Sequence, residues 1–190
     1  MSRAAVILTS GFEEIEALTV VDVLRRCNVD VDVVGTENEA IAGSHKIRVL
    51  PDKGIDIVNV DEYDAIVLPG GAPGYLNLRD DERVINLVKK AFDRGKIVAA
   101  ICAAPTVLAT AGILNGRKAT VYPGMEDELI RGGAKVEDAL VVDDENIITS
   151  RGPATAMLFA LKLAEKLSDE NISREVRKRL LLDMMLEKIV

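Results

Sequence analysis

The sequence predicts an open α/β sandwich, a mostly parallel sheet with helices packed on both faces. Three observations carry this. Short β-branched runs alternate with amphipathic helical stretches along the 190 residues. The connections are short, and no repeat, low-complexity tract or long linker interrupts them. Hydrophobic residues reach 48% while aromatics stay at 3%, so the core must be built from Val, Ile, Leu and Ala, which suits parallel strands buried on both sides. The length fits a single domain over residues 1–190.

Ala5–Leu8 reads as the first strand, and Glu14–Arg26 as a helix with Ile15, Leu18, Val21, Val23 and Leu24 on its apolar face. Val31–Val34 is the second strand, ending at Gly35. A hairpin around Gly43 leads to Ile47–Leu50, stopped by Pro51. Ala65–Leu68 is a strand, Pro69–Gly74 a Gly/Pro turn, and Asp81–Arg94 a helix closed by Gly95. Ile97–Ile101 is the most completely apolar strand and belongs at the sheet centre. The helix over 105–111 starts on Pro105, which a first turn accepts, and ends at Gly112. There follow a strand at Ala119–Val121, a short helix at Glu126–Arg131, and strands Leu140–Val142 and Ile147–Thr149 joined by a turn over Asp143–Asn146. A helix over Ala154–Leu167 leads to a last helix, Ser173–Ile189. That helix carries Val176, Leu180, Met184 and Leu181, Met185, Ile189 at helical spacing, a stripe expected to fill the core.

A net charge of −7 argues against nucleic acid as a primary partner, because phosphate binding needs a basic face. The one basic run, Arg174-Glu175-Val176-Arg177-Lys178-Arg179, reads as a solvated helix face. Ile97–Leu114 lacks charge, yet Pro105, Gly112 and its many alanines fit a buried strand and helix, not a membrane span. Two cysteines, Cys27 and Cys102, make no disulfide framework, and the start of the chain shows no secretory signal. A reducing, cytoplasmic setting is the expectation.

In an open α/β sheet the active site lies beyond the carboxyl ends of the strands. Three segments stand there: Thr9–Glu16, Leu68–Gly74 and Ala100–Pro105. Cys102 follows the most buried strand and a helix begins at once. Ala100, Ala103 and Ala104 supply the small neighbours that a nucleophile elbow needs. The N–H groups of the following helix are expected to favour the thiolate. Gly70 and Gly71, with Ala103, offer backbone N–H groups for an oxyanion. Glu16 lies on the helix side that carries Val20 and Leu24, toward the sheet, where burial would keep it protonated beside the sulfur. Glu13 and Glu14 read as helix-start charges, and Cys27 as a packing residue near a helix end. His45, the single histidine, falls in a polar turn and reads as a surface residue. One His and two distant Cys make no zinc set. Arg151 reads as half of an ion pair that could also line the site.

At these residues the chain resembles the ThiJ/PfpI superfamily, specifically its DJ-one branch. The likeness rests on Gly11-Phe12-Glu13-Glu14-Ile15-Glu16, Leu68-Pro69-Gly70-Gly71, Ala99-Ala100-Ile101-Cys102-Ala103-Ala104-Pro105 and Thr149-Ser150-Arg151-Gly152-Pro153, in that order. The resemblance implies a flavodoxin-like sandwich of the class I glutamine amidotransferase kind and a homodimer. It places the reactive cysteine on Cys102, its partner acid on Glu16, and oxyanion donors on Gly71 and Ala103. It implies action on methylglyoxal, glyoxal or their early adducts with amines, as a deglycase or a glutathione-independent glyoxalase, with no organic cofactor or metal. The alternative is a redox sensor or chaperone that works through oxidation of Cys102. Two departures stand out. Many relatives carry a His where this chain has Tyr122, so a histidine shuttle is missing there. The peptidase branch carries a His directly after its cysteine; here that residue is Ala103, which points away from peptidase activity.

Overall fold

The computed structural model describes residues 1–189; Val190 and the side chain of Ile189 lie outside the description. In chain order the strands are β1 (Arg3–Leu8), β2 (Asp30–Gly35), β3 (Ile41–Ala42), β4 (Arg48–Val49), β5 (Lys53–Gly54), β6 (Ala65–Leu68), β7 (Ile97–Ile101), β8 (Lys118–Ala119), β9 (Lys135–Val136), β10 (Val141–Asp144) and β11 (Ile147–Ser150). The helices are α1 (Glu14–Arg26), α2 (Gly74–Asp80), α3 (Glu82–Asp93), α4 (Pro105–Thr110), α5 (Glu126–Arg131), α6 (Ala156–Leu167), α7 (Glu170–Arg179) and α8 (Leu182–Ile189). The main sheet runs β10-β11-β7-β6-β1-β2-β5, and every pairing in it is parallel except β10 with β11. This is the flavodoxin-like sandwich that the alternation of the sequence predicts.

Both faces of the sheet are buried, as continuous apolar strands require. Ala4, Val6 and Leu8 of β1 pack with α1 and α6 on one side. Ala5 and Ile7 of the same strand pack with α3 and α4 on the other. The chain leaves β1 for β2 on one side and later returns to place β6 on its other side. That reversal is the switch point where α/β sheets open a crevice. Strand β7 is interior, although β6 holds the middle of the sheet.

Several expectations are corrected. Ile15 and Leu18 are exposed, because they share a helical stripe with Asp22 and Arg25, while Glu16, Val20 and Leu24 turn inward. The turn at Pro69–Gly74 gives way to α2, whose Leu78 is fully buried; tertiary packing overrides the glycine at its start. The last helix is two helices, broken where Leu181 adopts a left-handed φ of 58°. Val176 is buried, but Leu181, Met184 and Met185 are exposed, so that stripe does not fill the core. Strand β10 extends through Asp144, leaving Glu145 and Asn146 as the turn, and a 3-10 turn at Pro153–Thr155 precedes α6. The basic run lies on α7, where Arg174 pairs with Glu170 and Arg179 with Glu175, as a solvated face does. Among the described residues, no helix is long and apolar enough to cross a membrane.

Leu24, fully buried between α1 and the sheet, anchors this layer. Leu24→Ala should cost about 2–5 kcal/mol of unfolding free energy, measured by urea denaturation.

Candidate active site

Cys102 follows β7 and holds a φ of 65°, a left-handed conformation rare outside glycine. Backbone bonds hold it there on two sides. Its N–H donates to Ser150 O at 2.9 Å, and its carbonyl accepts the Tyr122 N–H at 2.9 Å. Small residues make the tight turn possible, and α4 starts at Pro105, as the sequence predicts. The side chain is partly exposed, whereas Cys27, next to the end of α1, is fully buried.

Glu16 is 0% exposed, and its Oε2 accepts the Gly70 N–H at 2.7 Å. It also shares a hydrogen bond with Cys102. Its other oxygen is buried with no partner. Burial pushes Glu16 up to about 7, against the opposing Gly70 N–H and Cys102 and with help from the Glu13 charge. Expected and observed burial of Glu16 agree.

The expected thiolate bias does not hold for the sulfur. Burial first, then the Glu16 charge and the hydrogen bond to it, push the Cys102 thiol up to about 12. The N–H groups of Ala103 and Gly71 pull the other way and lose. Helix α4 has only six residues, so its dipole is small beside a carboxylate in contact. The two acids are coupled: ionising one holds the proton on the other.

Gly70 is also corrected. Its N–H is spent on Glu16, so the donors at the sulfur are Gly71 and Ala103. A Cβ on Gly70 would meet Cys102 Cβ at 2.7 Å and Glu16 Oε2 at 2.8 Å, which explains the glycine. Gly71 has a φ of +95° and lies against the Glu13 N–H, which donates to Gly70 O at 2.9 Å. Tyr122 joins the site through its backbone, and its ring, 47% exposed, borders Gly152. The Arg151 guanidinium is engaged by Glu126 at 3.3 Å and by Asp138, so it is an ion pair and not a free anion binder.

Glu14 departs most from its reading as a helix-start charge. It is buried, and its Oε1 accepts N–H groups from His45 at 2.8 Å and Ile47 at 3.2 Å. Burial would raise it, but these bonds and the His45 ring outweigh that and hold it below the usual carboxylate range. The His45 side chain is 71% exposed, as expected of a surface residue, with Nδ1 at 3.2 Å from Glu14 Oε2. Donor atoms of Glu13, Glu14 and His45 lie within 4.8 Å of one another, a convergence of possible metal ligands that the sequence reading did not find. Its only trace in the sequence is the Glu-Glu pair, since the hairpin that carries His45 is far along the chain.

A flavodoxin-like sandwich with a left-handed cysteine and a buried acid at the switch point defines a small group of α/β proteins. The chain belongs to the DJ-1/PfpI family, whose model matches residues 2–166. It is 44% identical to protein dj-1beta of Drosophila melanogaster, over 95% of this chain and 98% of that one; the crystal structure of that protein superposes with a TM-score of 0.91. A Pyrococcus horikoshii protein named as a deglycase is 41% identical, covering 75% of this chain and 86% of its own. The structure of oxidized Toxoplasma gondii DJ-1 is 36% identical, covers 95% of this chain and 98% of that one, and has a TM-score of 0.89.

Two outcomes follow from the acid pair. Glu16→Gln removes the charge that holds the thiol up, so the Cys102 titration, followed by thiolate absorbance, should move downward from about 12. Glu16 also links stability to pH. Its folded value of about 7 lies above the ordinary 4.5, so the folded state keeps a proton that the unfolded chain releases. Stability from this group is full below pH 4.5 and is lost as pH rises through 7, on the order of 3 kcal/mol in all. Urea midpoints of wild type and Glu16→Gln across pH 4–8 should converge at the acid end and not at the neutral end.

Proposed function

We propose that the protein is a cysteine-dependent enzyme acting on small reactive carbonyls, methylglyoxal or glyoxal, or on their early adducts with amines. One observation carries this: the contact of Cys102 with a buried acid whose proton affinity lies near neutrality, about 7. A group of that strength can take and return a proton at working pH. Ionised Glu16 accepts the S–H proton as sulfur attacks the aldehyde carbon, forming a C–S bond and an oxyanion. The N–H groups of Gly71 and Ala103 are placed to receive that charge. Internal rearrangement to a thioester and its hydrolysis then release a 2-hydroxy acid and regenerate the thiol. For an amine adduct, the same attack on the former carbonyl carbon expels the amine, which leaves with the proton held by Glu16. No step draws on a metal or organic cofactor. The deglycase name of the Pyrococcus relative supports the substrate class.

The working unit is proposed to be a homodimer formed by one domain per chain, in a cytoplasmic setting. Exposed Ile15 and Leu18 on α1, with Ile47 and Leu50 by the hairpin, support an apolar contact between copies. A second reading, a redox sensor or redox-activated chaperone, is favoured by the oxidized form in which the Toxoplasma relative was determined. In it Cys102 is oxidised and Glu16 stabilises the product by a hydrogen bond to the sulfinate. Purified protein should convert methylglyoxal, or a methylglyoxal–amine adduct, to a 2-hydroxy acid. Cys102→Ala should lower the rate by at least about a hundredfold, the scale of losing a covalent nucleophile. No turnover in wild type, with peroxide still converting Cys102 to sulfinate in intact-mass spectra, would overturn the enzyme in favour of the sensor.

A further inference from the structure

The residues at the start of α1 divide their labour. Glu16 reaches the sulfur, and the Glu13 N–H binds Gly70 O, on the residue whose N–H binds Glu16. Glu14 faces the other way. Its Oε1 takes two N–H groups of the hairpin segment, from His45 and Ile47, and its Oε2 lies 3.2 Å from Ser44 Oγ. The same hairpin holds the loop before α1: Ser44 N–H donates to Phe12 O at 2.8 Å and Gly11 N–H to Ala42 O at 2.8 Å. Ser44 Oγ also donates to Glu13 Oε2 at 3.0 Å. Among the described residues, neither Glu13 nor Glu14 is paired with Lys or Arg. The anchoring of Glu14 is therefore hydrogen bonding to the hairpin, not a surface ion pair. Gly43 makes room for it, since a Cβ there would meet Glu14 Oε1 at 2.3 Å.

We propose that Glu14 is a positioning residue for the reactive cysteine: it clasps the hairpin over residues 43–47, and through Gly11–Glu13 fixes Gly70 and Gly71 against Glu16 and Cys102. The path is continuous in hydrogen bonds, from the hairpin N–H groups to the helix start and on to Gly70. Buried carboxylates are seldom placed without a task, and this one touches neither the sulfur nor Glu16. It uses the His45 main chain, so His45→Ala should leave the clasp intact. The inference rests on Cys102 being the reactive group, but not on which carbonyl it attacks.

The test reads the sulfur directly, by the second-order rate of iodoacetamide alkylation at Cys102, with peptide mapping and thermal melts alongside. Glu14→Ala should slow Cys102 alkylation by about fivefold to tenfold, the scale of losing the hydrogen bonds of a charged acceptor. Glu14→Gln retains a carbonyl acceptor for both hairpin N–H groups and should restore most of the rate. Gly43→Ala, made from the other side of the contact, should reproduce the slowing, and the double variant should be no slower than either single one. If Glu14→Ala melts at assay temperature, the Gly43→Ala and Glu14→Gln pair carries the same comparison. Wild-type alkylation in folded Glu14→Ala or Gly43→Ala would overturn the proposal, as would additive slowing in the double variant. Absence of methylglyoxal turnover in wild type would count against the proposed reaction alone, since alkylation is measured without it.

Discussion

The site depends on one buried carboxyl. Glu16 is fully covered, has a single backbone donor and the cysteine sulfur as partners, and leaves Oε1 without any. A full negative charge there is expensive, so the group is held near neutrality with a proton to give or take. Much local sequence follows from making room for it. Gly70 cannot carry a Cβ because sulfur and carboxyl occupy that space. Helix α1 must present Glu16 inward, which rotates Ile15 and Leu18 out to solvent.

The second constraint is the elbow. A non-glycine residue with left-handed φ is strained by roughly 1–3 kcal/mol and persists only where its surroundings determine it from several sides. Here β11 and the segment at Tyr122 supply backbone partners to the N–H and carbonyl of Cys102. The strain aims the sulfur across the switch point, at loops that follow β1 and β6. The sheet order that makes the crevice also brings Glu16 and Gly70, 54 positions apart, into one hydrogen bond.

What was legible in the sequence had short range or strong period. The apolar runs of β1, β6 and β7, the small residues around Cys102 and the inward side of Glu16 are local patterns, and they predicted both fold and site. Ile15 and Leu18 misled because a helix face read from apolar residues alone ignores that a buried acid can define the inner side. Leu181 carried no sign that it would take a left-handed φ and split the last helix. The shift of the Cys102 thiol was misjudged because a helix start is visible in sequence, whereas the proximity of a carboxylate from another element is not. Glu14 was read as a surface charge for the same reason: its partners lie about 30 residues away, on a hairpin whose docking no local pattern encodes.

None of the groups that shift the Cys102 thiol is a cation. In a Cys–His pair the imidazolium stabilises a standing thiolate before substrate arrives. This sulfur has only Glu16 and two backbone N–H groups, so its thiolate forms as its proton moves, and Glu16 is the group in contact that can accept it. Oxidation by peroxide needs the thiolate as much as carbonyl addition does. One carboxyl therefore governs both chemistries in the same direction, and separating an enzyme from a sensor must come from what happens after the sulfur attacks. That later stage is set by the N–H groups of Gly71 and Ala103, which can hold a carbonyl oxyanion or a sulfinate oxygen, and by how firmly the loop carrying Gly71 is fixed.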